Sequence, residues 1–348
     1  MRYRRLGSTD LMCSEIGLGC QSIGGGLFNE DSSADSILRK AFDGGITFFD
    51  SSDHYSMGRS EELLGKAFFR NRHEIVVATK IGTRYDAARA VALRMRRLVS
   101  PMSKVLTPFR KRLHRYRAAG RGQDFSPAYV LRAVEGSLRR LQTDYLDLLQ
   151  LHKPPTSVFA DEALIRTLEG LKQDGKVRYF GVAATSHSDA ALALDLPWVS
   201  SVQVTFSLIE QDAREALPLH QPQQKAVLAR NPRGFGMLTD KDYDLTAEDY
   251  TYDNQEADRL RSMAREFDFL VRRDRSLAMA AVKYVLHQPG ITLALPRATS
   301  PEDLDEILAA PEGPELTVEE MSRIGEIWRT SGVKLRRYDY RSGAPASP

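Results

Sequence analysis

The chain has 348 residues, of which 42% are hydrophobic and 27% charged, and its formal net charge is +3. This composition supplies apolar mass for a large core and excludes a mostly disordered or collagen-like chain. No window approaches eighteen apolar residues and the N-terminus lacks an apolar h-region, so the expectation is a cytoplasmic protein with no membrane span.

Near the start, Tyr3–Arg5 and Leu11–Ser14 flank "LGSTD", the pattern of a β-hairpin. Cys13 and Cys20 are too few and too close for a disulfide framework or a zinc motif, and they suit a reducing compartment. From there, short apolar or β-branched runs alternate with helical patterns. The predicted strands are Ile16–Gly19, Thr47–Asp50, Ile75–Lys80, Asp147–His152, Tyr179–Ala183, Ser201–Val204, Ala226–Arg230 and Ile291–Leu295. The predicted helices are Ser32–Asp43, Ser60–Phe69, Pro127–Leu141, Asp161–Asp174 and Leu277–His287, followed by about Ser300–Ala309 and about Thr317–Ser331. Asp35, Ser60 and Ser126 stand near helix starts as candidate caps, and Pro127 suits a first turn.

Eight strands alternating with helices predict an α/β protein with a closed (β/α)8 TIM barrel, floored by the N-terminal hairpin, rather than an open doubly wound sheet. The expected organisation is one domain over residues 1–340 and a flexible tail over 341–348. "GLGCQSIGGG" places glycines after a strand, but "LFNEDSS" follows where a dinucleotide fingerprint would open an apolar helix. The bland reading of Gly24–Gly26 is a flexible turn.

Barrel active sites gather at the C-terminal ends of the strands. Asp50 ends the second predicted strand, Lys80 the third and His152 the fourth, while Tyr55 sits in the loop after the second. A free tyrosine, with a pKa of about 10, is a poor acid or base at neutral pH. A nearby ammonium lowers that pKa, and a carboxylate such as Asp50 would hold Lys80 charged and oriented. His152 would then orient a carbonyl oxygen or share the proton with Tyr55. Each residue alone has a structural reading, as a surface aromatic, a snorkelling strand end or a hydrogen-bonded rim histidine. A metal site from Asp50, Asp53, His54 and His152 is the competing chemistry, and it leaves Tyr55 and Lys80 unexplained. No metal is expected.

The segments "GLGCQSIGGG", "FFDSSDHYSMGRSEELLGKAF", "VVATKIG", "FSPAYVLRAVEGSLRRLQTDYLDLLQLHKP", "LKQDGKVRYFGVA", "VQVTFSLIE" and "LPRATSPEDLDEIL" together resemble the aldo-keto reductase superfamily over nearly the whole chain. The resemblance implies a barrel that reduces an aldehyde or ketone with NAD(P)H, with Asp50, Tyr55, Lys80 and His152 matching the family's catalytic tetrad. It also implies a cofactor site. Gly19, Cys20 and Gln21 lie at its near edge beside Asp50, Gln203 matches the glutamine that contacts the carboxamide, and Phe206 stands in for a tyrosine that stacks on the nicotinamide. Arg230, Asn231, Pro232, Gly234, Gly236 and Leu238 match the pyrophosphate segment, and Arg297, Thr299, Asp303 and Glu306 the adenosine end. Two departures are visible. Ala183 and Ala184 replace the family's Ser-Asn pair after strand five, leaving Thr185, Ser186 or His187 as substitutes, and Asp303 replaces a glutamine. Arg297 favours NADP(H), with NAD(H) as the other cofactor. A second implied reading is an NADP(H)-binding redox-sensing subunit with little turnover.

Residues 84–126 carry twelve Lys/Arg against Asp86 and Asp124, a net of +10 that leaves −7 for the rest of the chain. By topology this insertion lies on the active-site side, and "AARAVALRMRRLV" has the spacing of an amphipathic helix over the mouth. It is read as a solvated lid, as a lid that attracts an anionic substrate or an acidic carrier protein, or, least favoured, as a membrane-surface or nucleic-acid contact. The expected partner is a small carbonyl or alcohol, with no nucleic acid.

Overall fold

The computed structural model describes residues 1–24, 31–85, 121–215, 225–239 and 254–331, with Tyr338–Asp339 and Ala344–Pro345 beyond them. The strands run β1 (Tyr3–Arg5), β2 (Met12–Ser14), β3 (Leu18–Gly19), β4 (Phe48–Asp50), β5 (Val76–Ile81), β6 (Thr83–Tyr85) and β7 (Arg121–Gln123), followed by β8 (Leu146–His152), β9 (Val177–Ala183), β10 (Val199–Thr205), β11 (Ala226–Arg230) and β12 (Ile291–Leu295). β1 and β2 form the predicted antiparallel hairpin. Leaving aside β6 and β7, the strands from β3 to β12 make one parallel sheet of eight in sequence order. Its first and last strands also meet: Ile16 bridges Ala294, and the Gly17 and Gly19 amides donate to Ala294 O and Pro296 O, each at 2.8 Å. The sheet is therefore a (β/α)8 barrel.

Period-two alternation sorts the side chains. Phe48, Val76, Ala78, Leu148, Leu228, Leu293 and Leu295 pack together inside the barrel, with Leu6, Leu11 and Cys13 of the hairpin region in the same cluster. The hairpin thus closes the floor. One inward step further along, Phe48 gives way to Asp50, Ala78 to Lys80, Leu148 to Gln150 and Leu228 to Arg230. The interior turns polar only at its upper rim. The alternate residues, such as Val77, Ile81 and Leu149, join the larger core under the helices.

The helices are α1 (Asp31–Asp43), α2 (Arg59–Phe68), α3 (Pro127–Leu141), α4 (Glu162–Gln173), α5 (His187–Leu194), α6 (Asn254–Arg265), α7 (Leu277–Leu286), α8 (Pro301–Ala309) and α9 (Val318–Ser331). The seven predicted helices lie within one or two residues of these limits, and α5 and α6 are additional. Ser126 caps α3 by accepting from the Tyr129 amide. The other two cap expectations do not hold. Asp35 lies within α1 and pairs with Arg39 at 2.7 Å, whereas Ser60 lies within α2 and hydrogen-bonds Ser51 and the Cys20 carbonyl. α2 follows Gly58, whose φ of 83° opens the turn that a side-chain cap would otherwise make.

β6 and β7 pair antiparallel at the two ends of the basic insertion. Residues 86–120 between them lie outside the described residues, and the lid helix expected there falls within that span. Past α9, Tyr338–Asp339 pairs with Ala344–Pro345.

Gly65 of α2 sits where a Cβ would come within 2.6 Å of Arg140 O and 2.7 Å of the Leu141 backbone at the end of α3. In a free helix, glycine to alanine gains about 1 kcal/mol. Gly65→Ala is expected instead to lower stability by about 1–3 kcal/mol through overpacking, read as a drop in the denaturation midpoint; a rise in midpoint contradicts the close approach.

Candidate active site

The rim polar residues form one connected device. Lys80 is 1% exposed, and its ammonium has three donors to place. They go to Asp50 Oδ2 at 2.5 Å, Ser51 O at 3.0 Å and Tyr55 Oη at 3.4 Å. Asp50 in turn accepts at Oδ1 from Gln150 Nε2 at 3.0 Å and Gln203 Nε2 at 3.1 Å, so amides from β8 and β10 fix the carboxylate from across the barrel. Burial pulls the Lys80 ammonium below its ordinary pKa, and the Asp50 charge and hydrogen bond oppose that pull.

Tyr55 is carried by a strained turn. Ser56 and Met57 adopt left-handed φ values of 51° and 59°, which cost energy for residues with a Cβ and persist where the surroundings enforce them. The Lys80 nitrogen lies 5.0 Å from the Tyr55 ring centroid as well as within reach of its oxygen. Because Oη accepts from an ammonium, the phenolate form is stabilised and the phenol hydrogen is left to point elsewhere.

His152 stands edge-on to Tyr55, with ring centroids 6.4 Å apart at 89°, and beside His54 at 4.7 Å. Burial, then the neighbouring His54, Lys153, Lys80 and Arg230 charges, hold its pKa well below the usual histidine value of 6.5. It is a neutral imidazole at physiological pH, with one N–H to offer an oxygen. Ser52 connects the next layer: its hydroxyl lies 3.0 Å from Lys80 O and 2.8 Å from His54 Nδ1.

These groups open into a cleft of about 790 Å³, bordered by Gln21, Tyr55, His152, Gln203 and Arg230 among others. A second cavity of about 300 Å³ lies against Pro232, Gly236 and Thr299. Asn231 and Arg297 border both, so the two form one groove running past the ends of β10, β11 and β12.

Of the sequence-predicted cofactor residues, Gly19, Gln21, Asp50, Gln203, Arg230, Asn231 and Arg297 border the cleft, and Pro232, Gly236 and Thr299 the second cavity. Others lie off the groove. Cys20 is fully buried, and burial raises its thiol pKa. Phe206 is 0% exposed and stacks on Tyr284 at 5.9 Å, so its ring face is taken by a neighbour. Leu238 is core, and Gly234, at φ 54°, is packed against Ile209. Asp303 is 1% exposed and accepts from both terminal guanidinium nitrogens of Arg233 and from the Thr299 amide. Glu306 borders neither cavity. Ser186, a candidate substitute for the missing Ser-Asn pair, caps α5.

Sequence reasoning passed over several residues. Thr83, Gly122 and Gln123 of the β6–β7 ladder border the cleft, as does Lys153, whose carbonyl accepts from Gln123 Nε2 at 2.7 Å. Gln150 was legible in "LLQLH", two residues before His152 on the same strand face. Arg233 borders the second cavity through a partner seventy residues away, which no local pattern signals.

Among the described residues no group of His, Cys, Asp and Glu is arranged to hold a metal ion, and no helix is long and apolar enough to cross a membrane. Residues 15–329 match the model of the Aldo/keto reductase family. YqkF of Bacillus subtilis (strain 168), named an uncharacterized oxidoreductase, is 33% identical over 330 residues, covering 93% of this chain and 95% of its own. The aldo-keto reductase AKR11C1 from Bacillus halodurans, in its holo form, superposes with a TM-score of 0.74 at 29% identity, covering 94% of this chain and 96% of its own. The glycerol dehydrogenase AKR11B4 from Gluconobacter oxydans gives 0.74 at 26% identity, with 95% and 96% covered.

The depressed pKa of His152 has a sign in stability. Between its folded pKa and the unfolded value near 6.5, only the unfolded chain binds the extra proton. Stability is therefore expected to fall as pH drops below 6.5, with up to about 1.4 kcal/mol per pH unit from this residue. In denaturant titrations His152→Asn should show a shallower loss between pH 6.5 and about 5.5; an identical slope contradicts the assignment.

Proposed function

Since the chain belongs to the aldo/keto reductase family, we propose that it is an NADPH-preferring oxidoreductase that interconverts an aldehyde or ketone with its alcohol, Tyr55 handling the proton. One observation carries this reading: the buried Lys80 ammonium bonds both Asp50 and Tyr55 Oη at the head of an open cleft.

The groove fits a nicotinamide dinucleotide. It is two-chambered, it runs from the tetrad past three strand ends, and Arg230, Arg233 and Arg297 border it, which supports an anionic ligand. At Gly19 an added Cβ would come 3.2 Å from Arg297 Cγ, so a larger residue there would narrow the groove. Arg297, on both cavities, supports NADP(H) over NAD(H).

When bound, the nicotinamide supplies hydride to the carbonyl carbon or takes it back from the alcohol. The chain's own residues manage the oxygen. Tyr55 Oη gives its proton to the carbonyl oxygen as negative charge develops there, and Lys80 stabilises the phenolate left behind. The neutral His152 N–H orients that oxygen without competing for the proton. Asp50, held by Gln150 and Gln203, keeps Lys80 charged and aimed.

The proposed substrate is a small carbonyl compound bearing an anionic group, free or on an acidic carrier. The segment with a net charge of +10 is joined to the barrel through the β6–β7 ladder, which borders the cleft, and this supports an anionic substrate. Two buried free thiols suit a cytoplasmic setting.

Tyr55→Phe keeps the ring and removes the proton. Turnover of a generic aldehyde panel with NADPH is expected to fall by about 10²–10⁴ in kcat, with cofactor affinity, measured by fluorescence titration, nearly unchanged. Undiminished turnover would overturn the role of Tyr55.

A further inference from the structure

Arg230 ends β11 and projects into the same cleft as Asp50, Tyr55, His152 and Gln203. Its guanidinium is anchored by neutral oxygens, with Nε donating to Thr205 Oγ1 at 2.9 Å and Nη2 to Ala184 O at 2.9 Å. No carboxylate of the described residues pairs with Arg230, in contrast to Lys80, whose charge Asp50 balances at 2.5 Å. The site therefore carries a guanidinium charge that no described carboxylate balances. Its field reaches the catalytic atoms: after burial, which dominates, the Arg230 charge is among the causes that lower the pKa values of Lys80 and His152.

We infer that Arg230 makes this site discriminate the redox state of its cofactor, holding reduced nicotinamide more tightly than oxidised. The inference rests on the reading of the groove as a nicotinamide site. Hydride must reach a carbonyl whose oxygen is at Tyr55, so the ring belongs in the cavity that Arg230 borders. Hydride departure removes two electrons and one proton from the ring, which changes from neutral to singly positive, while the Tyr55 proton neutralises the new alkoxide. Beside a guanidinium that no described carboxylate pairs, the positive ring is repelled and the neutral one is not. The phosphates are common to both forms, so their attraction to arginine cancels from the ratio of affinities. Product release after carbonyl reduction is eased by the same repulsion.

The test compares the wild-type protein with Arg230→Gln, which keeps amide donors without charge, and Arg230→Lys, which keeps charge without the planar fork. Each is titrated with NADPH by fluorescence and with NADP⁺ by calorimetry. The wild type is expected to bind NADPH about ten-fold tighter than NADP⁺. Arg230→Gln should bring the two within about three-fold, chiefly by tightening NADP⁺, and Arg230→Lys should keep the preference. A wild-type ratio near one, a ratio that survives in Arg230→Gln, or equal weakening of both forms, as a merely structural role would give, overturns the inference. If neither form binds the wild type, the cofactor reading itself falls, and the inference with it.

Discussion

An ammonium placed inside a barrel is the constraint to which the upper half of this molecule answers. Burying Lys80 alone would cost several kcal/mol, and removing one partner of such a pair is far worse than never having made it. The chain meets this with a carboxylate, a carbonyl and a phenol, one for each hydrogen. Asp50 is then itself held by two amides from strands on other sides of the barrel. The catalytic geometry is consequently over-determined: moving any one member leaves a buried donor or acceptor without its partner.

The lower half makes that arrangement affordable. Leucine, valine and phenylalanine fill the interior beneath the rim, and the hairpin seals them from water. The polar network therefore has a dry, rigid base on one side and the cleft on the other. Within this frame the left-handed turn after Tyr55 lies against α2 and the Cys20–Ser22 segment.

Much of this was legible in the sequence because a parallel strand buried on both faces reads as an apolar run, so a charge at its end stands out. Asp50, Lys80 and His152 announced themselves that way, and Tyr55 by its distance from Asp50. The packing of Phe206 on Tyr284 has no sequence signal, because a buried aromatic looks the same whether it faces a ligand or the core. The bond between Asp303 and Arg233 is hidden as well, because the partners lie seventy residues apart in the chain. The anchoring of Arg230 is hidden for a related reason: its acceptors, Thr205 and the Ala184 carbonyl, lie far from it in the chain.

The barrel is not equally strong all the way round. β8 and β9 run seven residues each, whereas β3 has two, and the junction with β12 rests on an isolated bridge and the amide bonds of Gly17, Gly19 and Ala294. A cylinder with one thin seam yields there first, and local opening follows the sparsest hydrogen bonding. Gly19 and Arg297 sit on the two lips of this seam and also border the groove. Loosening of the wall at this seam would widen the groove at Gly19, whose register partner on β4 is Asp50, so the thinnest part of the barrel adjoins the carboxylate on which the buried ammonium depends.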